Sequence, residues 1–285
     1  MSASHALGVS DRELMIKSLE YRKDVLRIIS HAGAGHTGGS LSSIDILNVL
    51  YNRVMRISPA RFDQPDRDRY IQSKGHCVEA LYVVLADLGF FPRSQLTTLC
   101  EYGSHFIGHP TRKVPGVEHN TGALGHGLAF GVGLALGLRH DDLRNRVFVL
   151  LGDGELAEGS VWEAAMAAAH YELDQLVAIV DRNRLQITGP TKDVLSSEPL
   201  ESKFGAFGWH VRTVDGHNVA ALTNALTVPP PQGKPMVLLA DTIKGKGVSF
   251  MEGVLKWHHG VPDVDEYRRA MEELGAALRQ VGGHQ

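Results

Sequence analysis

Two short polar clusters stand where apolar runs stop. Gly152-Asp153-Gly154 follows the run Val147 to Leu151, and Asp181-Arg182-Asn183 follows Leu176 to Val180. Asp153 offers a carboxylate, Asn183 an amide oxygen, and the loop beyond them backbone carbonyls. These are hard oxygen donors. They suit Mg²⁺, which takes few protein ligands and completes its shell with water and phosphate oxygens. Gly152 and Gly154 let the backbone approach a ligand closely. A lone GDG reads as readily as a strand-end turn with a capping aspartate. Here an alanine-rich helix, Gly159 to His170, and a second strand follow it, which is the order of a βαβ unit. Ligands of open parallel sheets bind at the edge where strands end.

Histidine beside glycine recurs in four further segments: AGAGHTGGS with His36, SKGH with His76, FIGHP with His109, and KWHHG with His258 and His259. Any one of them taken alone reads as an ordinary loop histidine. Together they describe loops open to a ligand, carrying side chains that donate to anionic oxygens and exchange protons near neutral pH. That combination suits a site that binds diphosphate and handles sugar hydroxyls.

The elements that must position these groups can be read in order. Ser10-Asp11-Arg12-Glu13 is a capping box opening a helix, with Met15, Leu19, Leu26 and Ile29 on one face. The glycine-dense HAGAGHTGGS, through Ser40, is expected to be irregular. Leu41 to Val54 should be an amphipathic helix, Tyr70 to Ser73 a short strand, Val78 to Leu88 a helix, and Ser94 to Leu99 a helical turn. A helix opened by TGALGHG carries Gly131, Gly133 and Gly137, each costing about 1 kcal/mol against alanine unless close packing offsets it. Beyond the central unit come a loop from Thr188 to Leu200, a helix at Glu201 to Gly208, and a strand at His210 to Val214 ending in Asp215-Gly216-His217. A helix (Asn218 to Leu226), a strand (Met236 to Ala240), a long loop carrying Lys244, Lys246 and the WHHG stretch, a last helix (Asp263 to Arg279) and a loose VGGHQ end complete the chain. Strands alternate with helices, so one α/β domain with a largely parallel sheet is expected.

Composition sets the bounds. The 285 residues carry a formal net charge of −3, with 43% hydrophobic and 21% charged residues, ordinary for a soluble globular protein and no reason to invoke nucleic acid or membrane. Two cysteines, no basic-then-apolar leader and no apolar run of membrane-spanning length point to a cytoplasmic protein.

The succession GHTGGSLS, DRYIQSKGH, GHP, PGVEHNTGALGHGL, GDGELAEGSVWEA, DRNRLQITG, TIKGKGVSFMEG and WHHG resembles the transketolase family along nearly the whole chain. The resemblance is to its diphosphate-binding (PP) domain alone. GHTGGSLSSIDIL looks more like the split, two-polypeptide transketolases than the GHPGxPLG form of single-chain enzymes. GDG followed after 28 residues by Asn183 is similar to the thiamine diphosphate (ThDP) fingerprint, with Arg182 replacing the first asparagine of the usual doublet. The resemblance implies a doubly wound α/β fold whose largely parallel sheet is flanked by helices. It implies a single PP domain over residues 1–285, with helices of 10–55 packed on it and a C-terminal helix at 263–280.

It further implies transfer of a two-carbon ketol unit from a ketose or its phosphate to an aldose or its phosphate. The cofactors implied are ThDP and Mg²⁺, with Ca²⁺ or Mn²⁺ as substitutes. Asp153, Asn183 and the Leu185 carbonyl match metal ligands, and Gly152, Gly154 and His76 match groups near the diphosphate. Gly122 and Leu124 match the loop against the aminopyrimidine. His36 and His109 match histidines facing the sugar. His258 or its neighbour His259 matches one between diphosphate and substrate. Glu158, also expected among the cofactor contacts, and Glu163 match acidic residues that meet across an interface between subunits, and are equally well explained as carboxylates favoured at a helix start. The pyrimidine-binding (Pyr) domain and its glutamate are not in this sequence, so a Pyr-domain partner chain in an α₂β₂ assembly is expected. The alternative readings are other ThDP enzymes (a 2-oxo acid dehydrogenase E1 subunit or a deoxyxylulose-phosphate synthase) and a non-catalytic PP-domain subunit.

Overall fold

Three apolar runs form the centre of a five-stranded, wholly parallel sheet. The computed structural model describes residues 8–283. Its strands are β1 (Arg69–Gln72), β2 (Val147–Gly152), β3 (Leu176–Arg182), β4 (Leu185–Gln186), β5 (Gly189–Pro190), β6 (His210–Asp215) and β7 (Met236–Asp241). Its helices are α1 (Asp11–Ala32), α2 (Thr37–Val49), α3 (Val78–Asp87), α4 (Gly127–His140), α5 (Gly159–His170), α6 (Thr191–Val194), α7 (Leu200–Ala206), α8 (Val219–Thr227) and α9 (Val264–Gly282). The main sheet runs β1-β2-β3-β7-β6, and β4 pairs antiparallel with β5.

The two-residue period of a strand sends alternate side chains to opposite faces. Phe148, Leu150, Val177, Ile179 and Leu238 enter one core beneath α1, α2, α3 and α8. Val149, Leu151, Ala178, Val180 and Leu239 enter the other, beneath α4, α5 and α7. Strands buried on both faces must read as continuous apolar runs, as these do. Helix α5 joins β2 to β3 on one face, and α8 joins β6 to β7 on the other. Right-handed crossovers require this reversal of face when the direction of winding reverses. The reversal opens a crevice at the carboxyl ends of β3 and β7, where a ligand can enter between divergent loops.

Several expectations need correction. Thr37 to Ser40 is helical, not irregular, because Gly38 and Gly39 sit inside the close contact that starts α2. A Cβ on Gly38 would lie 2.8 Å from the Trp257 carbonyl oxygen, and one on Gly39 would lie 2.5 Å from Cys77 Sγ. Helix α2 is not amphipathic, since every residue from Thr37 to Val49 is buried, and its last turn, Leu50–Val54, widens to a π-helix. The buried stripe of α1 runs through Leu14, Tyr21, Val25 and Ile28, which leaves Met15 45% exposed. Thr188 to Leu200 holds β5 and α6 rather than open loop, and α9 continues to Gly282, two residues into the expected loose end. The capping box at Ser10 and Glu13 forms as expected.

The glycines of α4 split into two kinds. A Cβ on Gly131 would stand 2.6 Å from Val149 Cγ2, so the sheet explains that glycine; Gly133 and Gly137 face open space. Gly131→Ala should therefore destabilise the chain by roughly 1–3 kcal/mol through overpacking. Gly133→Ala should instead gain up to about 1 kcal/mol of helix propensity. Thermal melts of the two variants check this, and equal melting temperatures would contradict the close approach of α4 to β2.

Candidate active site

The carboxyl ends of β1, β2, β3 and β7 and the loops that follow them enclose a cleft of about 410 Å³. Its floor is a buried ion pair. Asp181, at the end of β3, is fully buried, and so is Lys74, just beyond β1. The Lys74 ammonium donates to Asp181 Oδ2, and the Asp181 carboxylate also accepts from Ser42 Oγ (2.6 Å) and from Thr242 Oγ1. Burial alone would favour the neutral forms of both. The pairing wins: the Lys74 charge holds Asp181 below the usual carboxylate range, and Asp181 holds Lys74 above the usual amine range.

Above this floor stands Asp153. Its Oδ1 accepts from the Gly154 amide (2.9 Å), and its Oδ2 from the Arg184 amide. Burial, then the negative charge of Asp181, pushes its carboxyl up to about 6. Asn183 Oδ1 accepts from the Leu185 amide at 3.1 Å. The Leu185 carbonyl in turn accepts from Lys244 Nζ at 3.3 Å, so it points at positive charge inside the cleft. Lys244 is 3% exposed, and burial followed by the nearby Lys74 charge holds its amine below the ordinary value. One carboxylate, one amide and one carbonyl thus line a cleft that also carries two buried ammonium groups. Such a donor set fits a hard divalent cation together with a polyanion. Among the described residues, His258 Nδ1 and Gln186 Oε1 are buried there with no hydrogen-bonding partner, which leaves both available to a ligand.

The histidines of four separate segments converge. The His36 ring lies 5.0 Å from His76, 5.6 Å from His258, 4.6 Å from His259 and 6.4 Å from His109, centroid to centroid. His76 and His258 stack at 5.5 Å. Burial first, and then the neighbouring imidazoles, draws His36 down to about 3. Burial, then Lys244 and Lys74, draws His258 down to about 4, and burial with Lys74 holds His76 far below its ordinary value. At neutral pH these three rings are uncharged, so each offers one donor and one acceptor. The backbone of His36 is fixed by Glu79, a fully buried carboxylate on α3 that accepts from the His36 amide (3.1 Å) and from Ser40 Oγ (2.7 Å).

Of the residues singled out in the sequence, His36, His76, Gly122, Leu124, Gly152, Asp153, Gly154, Asn183, Leu185 and His258 line the cleft. His109 packs on Gly122, whose added Cβ would lie 3.1 Å from the His109 ring. Of the adjacent pair, His258 faces inward and His259 is exposed at the rim beside His36. Glu158 and Glu163 are exposed and outside the cleft lining. Arg182 turns away from the cleft and binds Glu198 and Glu201, each at 2.8 Å. Sequence reasoning missed the roles of Lys74, Asp181 and Glu155. Glu155 is buried and accepts from the Gly125 (2.9 Å) and Gly152 (3.0 Å) amides, tying two cleft loops together. The available signal was position: Lys74 and Asp181 both fall at strand ends.

Fold and site define an α/β protein with a cleft at the carboxyl edge of its sheet, whose donors suit a hard divalent cation and an anion. Residues 15–280 match the family model described as transketolase, thiamine diphosphate binding domain. The chain belongs to that family. It is 47% identical over 269 residues to an apulose-4-phosphate transketolase subunit of Phocaeicola vulgatus, covering 94% of this chain and 96% of that one. It is 44% identical over 255 residues to a 6-deoxy-6-sulfo-D-fructose transketolase subunit of a Clostridium species, covering 89% of this chain and 93% of that one. The solved transketolase of Leishmania mexicana superposes with a TM-score of 0.81 at 27% identity; the match covers 96% of this chain and 46% of that one, so this chain spans under half its length.

Breaking the ion pair under the cleft on one side only should be costly. Lys74→Met leaves Asp181 buried and uncompensated, which should cost about 3–5 kcal/mol. Adding Asp181→Leu should recover much of that loss. Denaturant unfolding of the single and double variants measures it, and a neutral single variant would contradict the pairing.

Proposed function

We propose that this chain is the diphosphate-binding subunit of a two-polypeptide transketolase. It would transfer a two-carbon ketol unit from a ketose to an aldose with a partner chain that supplies the Pyr domain. The observation that carries the reading is the convergence of the Asp153, Asn183 and Leu185 oxygens with a cluster of neutral histidines in one cleft at the switch point of the sheet. Relatives with "subunit" in their names, matched over nearly their whole length, support the partner. Two of these names specify apulose 4-phosphate and 6-deoxy-6-sulfo-D-fructose, which supports a ketose ending in a phosphate or sulfonate as the substrate class.

In this reading Asp153, Asn183 and the Leu185 carbonyl hold Mg²⁺, and Lys244, His76 and the Gly154 amide bind the diphosphate. Gly122 and Leu124 flank the aminopyrimidine. Bound there, ThDP supplies a nucleophilic carbon and an electron sink for cleavage beside the ketose carbonyl. The protein's part is to orient and to move protons. Neutral His36, His109 and His258 donate to the carbonyl and hydroxyl oxygens of the sugar and accept a hydroxyl proton without a prior charge change. His259, at the rim, meets the part of the sugar that reaches out of the cleft. Glu79 keeps His36 in register through its backbone. The chain's location is read as cytoplasmic; among the described residues no helix is long and apolar enough to cross a membrane.

A ketol-transfer assay with the chain alone, and with its co-expressed partner, tests the proposal. Activity should appear only in the mixture. Turnover by the chain alone would overturn the two-subunit reading, and an inactive complex that still binds ThDP would overturn ketol transfer. His109→Ala should lower turnover about 100-fold or more with cofactor affinity nearly unchanged, whereas Asp153→Ala should abolish Mg²⁺-dependent cofactor binding. Loss of cofactor from the His109 variant would show that its loop serves the cofactor instead.

A further inference from the structure

The Asp215-Gly216-His217 turn after β6 lies outside the cleft, yet its histidine is wired to it. His217 is 11% exposed, between Asp45 of α2 and the loop after β7. His217 Nδ1 lies 2.7 Å from Asp45 Oδ2, and Nε2 lies 2.8 Å from the amide nitrogen of Ile243. An amide N–H can only donate, so Nε2 must be the acceptor, and the ring proton must sit on Nδ1 facing Asp45. Asp45 is itself fixed by Arg22 of α1, which binds it through two nitrogens, at 2.5 and 3.3 Å. The same Arg22 donates from Nε to the Lys246 carbonyl at 3.0 Å. One buried cluster therefore grips the loop on both sides of Lys244.

Side chains anchor the loop at its two ends, where Thr242 donates to Asp181 and the Gly247 amide donates to Glu252 (3.0 Å); between them the anchors are backbone bonds. The Gly245 amide donates to Gly38 (2.9 Å), and the Lys244 carbonyl accepts from Gly253 (2.9 Å). Gly216 is required for the turn to come this close, because a Cβ there would stand 2.5 Å from Thr242 Cγ2. Nothing in the reaction needs an imidazole at this position. An apolar residue of similar size would fill the space but leave the Ile243 amide to water and take one of its two donors from Asp45 Oδ2, which would keep only Arg22.

We propose that His217 is a positioning residue: through the Ile243 amide it holds Lys244 against the Leu185 carbonyl and so sets how tightly the cleft binds its anionic ligand. The identity of that ligand rests on the diphosphate reading above; the anchoring does not. Two readouts on the full chain without ligand test the anchor, namely hydrogen exchange across residues 242–247 and acylation of Lys244 by an N-hydroxysuccinimide ester. His217→Phe should raise exchange at Ile243 about tenfold or more and expose Lys244 to acylation, with cooperative melting retained. His217→Gln, whose amide can accept from Ile243 and donate to Asp45, should restore most of the protection.

Unchanged exchange and labelling in His217→Phe would overturn the proposal. So would equal loosening in the Phe and Gln variants, since the histidine would then be filling space only. If His217→Phe does not fold, His217→Ala is read in the same way. Titration with Mg²⁺ and ThDP, followed by tryptophan fluorescence, should then show affinity about tenfold weaker in His217→Phe than in the unmodified chain. Unchanged affinity would overturn the link to the ligand. If the unmodified chain and its complex bind no ThDP at all, the diphosphate reading fails, while the exchange data still decide the anchor.

Discussion

The Lys74–Asp181 pair is the constraint on which the site depends. Two opposite charges lie fully buried at the carboxyl edge of the sheet, where desolvation penalises each of them. They are tolerated because Ser42, Thr242 and the carbonyl of Gly39 complete the hydrogen bonding around them. These partners come from α2 and from the end of β7, and the pair itself from the loop after β1 and from β3. One ion pair thus fixes where four segments meet, and the loops carrying Asp153, Asn183 and Lys244 are built outward from it.

The same pair sets the electrostatics above it. Added to burial, the larger cause for each group, Asp181 raises the cost of ionising Asp153, and Lys74 lowers the basicity of Lys244, His76 and, after Lys244, His258. The cleft therefore combines a carboxylate that gains from a nearby cation with ammonium groups that gain from a nearby anion. A metal–diphosphate pair satisfies both demands at once. The uncharged histidine cluster lies to one side, where a neutral donor and acceptor array suits sugar hydroxyls better than a second patch of charge would.

Much of this was legible in the sequence because strands buried on both faces must be continuous apolar runs, and the residues that end them must lie on one edge. Asp153, Asn183 and the glycine-flanked histidines followed from that rule. Lys74 did not, and Lys244 stood evenly between the site and a solvated basic loop, because a lysine beside a glycine most often belongs to a solvated loop; only their burial in the folded chain shows that both are enclosed. The start of α2 was misread because the cost of glycine in a helix is local, while its offset, the approach of Trp257 and Cys77, comes from far along the chain. Met15 was misassigned because periodicity gives a helix face only to within one position. The burial of Arg22 on α1, paired to Asp45, shifts that face toward Leu14 and Tyr21.

The most direct measurement of the central claim is calorimetric titration of ThDP into the reconstituted two-subunit complex, with Mg²⁺ present and again after chelation. The account predicts one ThDP for each copy of this chain, with binding lost on chelation and regained when Mg²⁺ is restored. Binding that is indifferent to divalent cations, or a well-folded complex that takes up no ThDP, would contradict it.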